Sequence, residues 1–207
     1  IFPGAGYLEV ARAAGATALH GVYFLQPLAV EVAGLLIECS LVDGRFEVRS
    51  GKVDSIEDAT VHCSGATPDA YSWQGINHAV LHIPAVAADV GALYDGFDAV
   101  ALQYGPGYRT LAHAWGGQAI ALSRLRARST HEGTQVHPAD LDDALCTTAV
   151  MMSSGGDSGG ETRLPFAVDD ALLQGAAGEL WAVRLLFLHS LVDRSQPLAP
   201  FRVVLSR

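Results

Sequence analysis

The stretch His137-Pro138-Ala139-Asp140-Leu141-Asp142-Asp143 holds three carboxyls at the start of an apolar, helix-patterned run, and these are the residues best placed to do chemistry. Two readings compete. Acids in the first helical turn offset the helix dipole, and one of them can cap the free N–H groups. Alternatively, one carboxyl points into a cleft and donates a proton. At i, i+2 and i+3 the three cannot share one direction. Asp142 stands one turn before Cys146 and close to the apolar line of Leu141 and Leu145, so it is expected to face inward. Desolvation there would raise its pKa and suit it to general-acid work. Asp140 is expected as a helix-start acid of minor consequence.

No other group has a spacing of comparable force. The eight histidines are scattered, with no HxH or HExxH pair, so metal ligation is not expected. There is no GxGxxG and no P-loop. Ser153, Ser154 and Ser158 are flanked by glycine but lack the G-x-S-x-G context. Tyr104-Gly105-Pro106-Gly107-Tyr108 reads as a Gly/Pro turn. The residues alone supply one candidate acid and no base.

The elements that must position that acid follow from periodicity. Gly4–Leu19 is Ala-rich with Leu8, Ala11, Ala14 and Ala18 on one face, which predicts a buried helix over about Ala5–Ala18. Val22–Leu25, Leu28–Val32 and Leu35–Leu41 read as short strands. Arg45–Ser50 alternates after an Asp43-Gly44 turn, and Thr60–Ser64 is a further strand. Gly65–Ala88 is the best linker candidate. Val90–Val100 predicts a helix, Ala119–Ala127 a strand, and Asp140–Met152 a second long helix. Ser153–Gly160 reads as a mobile loop, followed by strands at Leu180–Leu188 and Phe201–Leu205. Two helix-plus-sheet units make an α+β architecture with duplication plausible, divided as 1–85 and 86–207.

Composition sets the outer bounds. Of 207 residues, 50% are hydrophobic, which excludes a disordered polar chain. Asp+Glu 22 against Lys+Arg 13 gives a net charge of −9, which argues against a nucleic-acid binder. Cys39, Cys63 and Cys146 are too far apart for a zinc ribbon and too few for a disulfide framework, so a reducing, cytoplasmic setting is expected. The uncharged stretch Ala13–Val30 is interrupted by Gly15, His20, Gln26 and Pro27, so no membrane span is expected there. The start at Ile1-Phe2-Pro3 has no basic n-region and reads as an excision from something longer.

Four blocks taken together resemble the dehydratase domains of modular type I polyketide synthases: FPGAGYLEVARAAG at 2–15, LYDGFDAVALQYGPGYRTL at 93–111, HPADLD at 137–142 and LPF at 164–166. Each is weak alone, and their order matches the family. The resemblance implies a double hotdog fold, with each half wrapping an antiparallel sheet around a long helix. It implies elimination of water from a β-hydroxyacyl thioester to give an α,β-unsaturated chain. The substrate is carried on the phosphopantetheine of an acyl carrier protein, with no metal, nucleotide or other cofactor. The implied partners are that carrier and neighbouring synthase domains, with a homodimer left open.

By the same resemblance, Asp142 inherits the acid role of the HPxxxD block. The base is a histidine of an HxxxGxxxxP block whose proline matches Pro3, which puts it before Ile1. Pro3, Gly4, Tyr7, Tyr104, Gly105, Pro106, Cys146, Leu164, Pro165 and Phe166 are the implied substrate-lining positions, with the backbone N–H groups of Gly4–Tyr7 as donors to the thioester oxygen. Two positions depart from the pattern. Cys146 stands where Gln or His is usual, and Tyr108 where the YGPxF block ends in Phe. Cys146 is expected to alter how Asp142 is held, so that Cys146→Gln leaves activity unchanged or raises it. The stretch after LPF is shorter than the resemblance implies, so a disordered loop is expected to be missing near Leu185–Ser195. An isomerising or cyclising domain on the same scaffold, and an inert dehydratase-like domain, are the alternatives.

Overall fold

Residues 2–13 pass from an extended lead-in to the first helix, α1 (Gly4–Ala13), with Pro3 at the N-cap in extended conformation. Pro3 fits there because the missing N–H is one the helix could not use. The helix stops at Ala13, five residues short of the expected Ala18. The physical reason is Gly15, whose φ of 115° lies where other residues are strained. Gly15 N donates to Arg12 O at 2.9 Å and Ala16 N to Ala11 O at 3.1 Å, a Schellman closure. Ala18 then opens β1.

In this computed structural model the residues described are 1–31, 33–52, 59–68, 86–117, 120–130, 132–134, 136–153, 167–172, 180–185, 201–202 and 204–206. Among them, β1 (Ala18–Phe24), β2 (Leu35–Val42), β3 (Arg45–Lys52) and β4 (Thr60–Ala66) are followed by β5 (Val86–Ala88) and α2 (Val90–Ala99). Next come a 3-10 turn at Pro106–Tyr108, β6 (Leu111–Gly116), β7 (Ile120–Leu125) and α3 (Pro138–Ser153). The chain closes with β8 (Ala167–Leu172), β9 (Leu180–Leu185), β10 (Phe201–Arg202) and β11 (Val204–Ser206).

These strands form two sheets, in the orders β10-β8-β1-β4-β3-β2 and β11-β9-β7-β6-β5. All pairings are antiparallel except β10 with β8. The β2–β3 hairpin closes on Val42↔Arg45 through Asp43 (φ 49°) and Gly44 (φ 71°), the two left-handed residues a tight hairpin needs. Helix α1 packs against β1, β2 and β3, whereas α3 packs against β6, β7 and β9, and the two helices touch each other. Tyr7, Leu8 and Ala11 of α1 share one core with Leu141 and Leu145 of α3 and with Leu19, Val22, Phe46 and Val48 of the first sheet. The architecture is the expected α+β double hotdog.

Several local expectations are corrected. Leu28–Glu31 is not strand, and Val32 lies outside the described residues. Leu28 instead accepts from Phe2 N at 2.7 Å and ties down the approach to α1. Strands β5, β6 and β8 were not expected. Gly65 and Ala66 belong to β4 rather than to a linker, and residues 69–85 lie outside the described set. Ser153 ends α3, while 154–160 and 186–195 are also outside it. The Phe201–Leu205 segment divides, β10 joining the first sheet and β11 the second. With β8 also in the first sheet, residues beyond 86 complete the sheet begun by residues 18–66.

Candidate active site

His137 prepares the start of α3. Its Nδ1 accepts from Ala139 N–H at 3.1 Å and its carbonyl accepts from Asp140 N at 2.9 Å. Its Nε2 lies 3.7 Å from Glu132 Oε2. The imidazole is thus engaged as a cap, with Pro138 opening the helix behind it.

The three carboxyls diverge as their spacing requires, but the most inward of them is not Asp142. Asp140 is 1% exposed and accepts from Arg128 Nε at 2.8 Å, so it is a buried ion-pair partner rather than a solvent-facing dipole acid. Asp143 is 0% exposed. Its Oδ1 accepts from Tyr94 Oη at 2.8 Å, and its Oδ2 accepts from Thr110 Oγ1 at 2.6 Å and from Thr110 N. Asp143 therefore fastens α3 to α2 and to the residue before β6. One turn on, Thr147 Oγ1 hydrogen-bonds Ser123 of β7.

Asp142, between these two fixed neighbours, is partly buried. Burial pushes its carboxyl up to about 6, and the adjacent Asp143 charge adds to the shift. Hydrogen bonding from Tyr104 pulls partly the other way. The Tyr104 hydroxyl also lies 3.1 Å from Cys146 Sγ, and burial among Cys146, Asp142 and Asp143 drives that phenol well above its ordinary range. Burial also holds the Cys146 thiol far up, in its protonated form. Tyr108 is raised by burial and by Asp142, with Arg128 opposing. Asp142 thus sits between α3 and the Tyr104–Tyr108 turn as a carboxyl that keeps its proton to nearly neutral pH. Among the described residues, Tyr104 bears on both Asp142 and Cys146, and Cys146 also feels Asp142 directly.

This geometry gives a direct expectation. Tyr104→Phe removes a hydrogen bond that favours the charged form, so the pH above which Asp142 loses its proton moves upward from about 6. The pH profile of turnover should show its alkaline limb displaced upward, whatever its height. A downward displacement contradicts this assignment.

The other expected positions fall in two places. Pro3 and Gly4 stand at the start of α1, which no side chain caps. Tyr7 is only 2% exposed, with its ring stacked on His62 (centroids 6.1 Å) and tilted against Phe2 (4.9 Å), so it is a core residue. Tyr104, Gly105 and Pro106 form the turn facing α3, where Tyr104 packs on Phe97 and Tyr94 at 5.3 and 5.8 Å. Leu164, Pro165 and Phe166 lie outside the described residues. Tyr94, Thr110, Arg128 and Asp143 were not singled out in the sequence. Only the Asp142-Asp143 doublet signalled any of them.

The described histidines offer no base beside Asp142. His62 is bonded to Ser50 Oγ at 2.7 Å and Gln26 O at 3.0 Å. His137 is a cap, His20 and His113 are exposed strand residues, and no imidazole is among the groups acting on Asp142. No group of three or more His, Cys, Asp or Glu able to hold a metal occurs among the described residues. No helix there is long and apolar enough to cross a membrane.

Residues 80–196 match the model of the polyketide synthase dehydratase N-terminal domain. The chain belongs to the polyketide synthase dehydratase family. This dehydratase domain is 30% identical over 211 residues to polyketide synthase ThaG of Burkholderia thailandensis, covering 88% of the chain and 4% of ThaG. It is also 30% identical over 193 residues to polyketide synthase GfsE of Streptomyces halstedii, covering 81% and 5% respectively. It therefore spans only a small fraction of those synthases. The fold matches the dehydratase domain from the CurK module of curacin polyketide synthase, with a TM-score of 0.74, 21% identity, and coverage of 100% of this chain and 84% of that one. The dehydratase domain of RzxB from Pseudomonas fluorescens aligns with a TM-score of 0.70 at 22% identity, covering 99% and 79%. A His→Phe and an Asp→Asn variant of the CurK dehydratase are inactive mutants.

Proposed function

We propose that the domain eliminates water from a β-hydroxyacyl thioester carried on the phosphopantetheine of an acyl carrier protein. Asp142 is the acid. A histidine preceding Ile1 removes the proton α to the thioester, and the electron pair forms the α,β double bond as the β C–O bond breaks. The Asp142 proton joins the departing hydroxyl to make water, and both groups then exchange protons with solvent. The backbone N–H groups at the start of α1, around Gly4, would stabilise the charge on the thioester oxygen. Pro3, the Tyr104-Gly105-Pro106 turn and Leu164-Pro165-Phe166 would line the acyl path. The reaction needs no cofactor, and it belongs in the cytoplasm among the other domains of a synthase.

The observation that carries this reading is the partly buried place of Asp142 on α3 beside the Tyr104–Tyr108 turn, where burial pushes its carboxyl up to about 6. An acid with a pKa near the working pH is the efficient choice for protonating a poor leaving group. The inactive His→Phe and Asp→Asn variants of the CurK dehydratase support a histidine–aspartate division of labour.

The test is to incubate the chain, with its natural upstream sequence, with a β-hydroxyacyl carrier-protein thioester and follow mass and double-bond position. Loss of one water with an α,β double bond is the expected result. A moved double bond without mass change would indicate isomerisation, and no change an inert domain. Residues 1–207 alone are expected to be at least about 10²-fold slower, the usual contribution of a general base. Equal rates would mean that the base lies within residues 1–207.

A further inference from the structure

We propose that Arg128 is a positioning residue for the acid, bracing the Tyr104–Tyr108 turn against α3 and so fixing the gap between Tyr104 and Asp142. This rests on Asp142 being the acid. Two nitrogens of its guanidinium reach two different partners. Nε donates to Asp140 Oδ1 at 2.8 Å, and Nη2 donates to Gly107 O at 3.0 Å. Asp140 is two residues before Asp142 on the same helix, and Gly107 is three residues after Tyr104 in the turn.

Tyr104 itself packs on Phe97 and Tyr94, but the tip of the turn has no such grip. A Cβ added at Gly105 or at Gly107 would meet nothing within 4 Å, so neither position is gripped by packing. Tyr108 N bonds back to Gly105 O at 2.9 Å, and Arg109 Nε to Tyr104 O at 2.8 Å, but both bonds stay within 104–109. Among the described residues, the Tyr104 hydroxyl ties the start of the turn to Cys146 and Asp142 of α3, and Arg128 ties its tip at Gly107 to Asp140. Its anchor is firm, because a carboxylate that is 1% exposed cannot be left without its cation cheaply. Tyr108 feels Asp142 and Arg128 together, which sets all three around one space.

A planar fork is what this double duty requires. Lysine, a single compact ammonium, can neutralise Asp140 but lacks the spread pair of donor nitrogens, held in one plane, that reach Asp140 and Gly107 together. Arg128→Lys should therefore fold and bind substrate while holding the turn loosely. Misplacement of a reacting group by about 1 Å can cost 10²-fold in rate.

The experiment compares wild type, Arg128→Lys and Asp142→Asn, each with the natural upstream sequence, on a β-hydroxyacyl carrier-protein thioester. For Arg128→Lys the expected result is a melting temperature close to wild type, KM within about threefold, and kcat lower by roughly ten- to a hundredfold. A wild-type kcat, or a loss confined to KM, overturns the proposal while Asp142→Asn is dead. An active Asp142→Asn overturns the underlying reading instead. Should Arg128→Lys be too unstable to assay, Arg128→Lys combined with Asp140→Asn removes the buried charge and takes the same assay. A lowered kcat then supports the brace, and an unchanged kcat refutes it.

Discussion

Replacing Asp142 with Asn is expected to lower the dehydration rate by about 10² to 10⁴ while making the fold more stable above neutral pH. The rate loss follows because the amide keeps the shape but has no acidic proton for the leaving hydroxyl. The stability gain follows from the raised pKa. The carboxyl titrates at about 6 in the fold against 3.8 in the unfolded chain, so between those values the folded state holds a proton that the unfolded state has lost. Stability therefore falls as pH rises through that window and stays lowered above it. Asn escapes this penalty, which at about 1.4 kcal/mol per pKa unit amounts to roughly 1–3 kcal/mol. Urea denaturation of both proteins at pH 8 and pH 4 should show the variant ahead at pH 8 and level at pH 4. A variant that loses stability at pH 8 would mean that the Asp142 carboxylate is stabilising, contrary to its burial.

Replacing Asp143 should cost stability rather than add it. Its carboxylate accepts from Tyr94 Oη, Thr110 Oγ1 and Thr110 N in a site with no solvent exposure. Burial pushes its carboxyl up, and these hydrogen bonds oppose the shift. Asp143→Ala leaves three buried donors without an acceptor and should cost about 2–4 kcal/mol, each orphaned group being worth about 1–3 before relaxation. Asp143→Asn should cost less than about 1.5 kcal/mol, since the amide oxygen can still face Thr110 while its nitrogen donates to Tyr94 Oη. Chemical denaturation at pH 7 separates the two. Equal costs, or an Ala variant within about 0.5 kcal/mol of wild type, would show that the clasp contributes no net stability.

The contrast between neighbouring carboxyls shows where sequence reasoning reached and where it stopped. The alternation of Arg45–Ser50, the Asp43-Gly44 turn and the helical spacing of Leu141 and Leu145 are local patterns, and β3, its hairpin and α3 follow them. Strand β6 escaped notice because Leu111-Ala112-His113-Ala114-Trp115-Gly116 is poor in β-branched residues, although Leu111, Ala114 and Gly116 are its buried positions. Strand β8 carries an Asp169-Asp170 pair, and its pairing with β1 joins Ala18 to Leu172, a partner no local pattern announces. The site divides the same way. Asp142 could be found from its spacing and its motif, but Asp143 meets Thr110 and Tyr94, and Arg128 meets Gly107, only once the chain is folded. Helical phase says which carboxyls diverge; it does not say which finds buried donors.

The most direct test of Asp142 as the acid is its own titration. The carboxyl carbon of Asp142, labelled with 13C and assigned by its loss in Asp142→Asn, should titrate in the folded domain near 6. The same value should mark the pH above which turnover falls, because only the protonated form can deliver a proton to the leaving hydroxyl. Asp143 lies next to it, so the two carboxyls are followed together and their apparent values compared. A titration of Asp142 at about 4 or below, the ordinary range for an exposed aspartate, would leave it ionised throughout and would contradict its role as the acid.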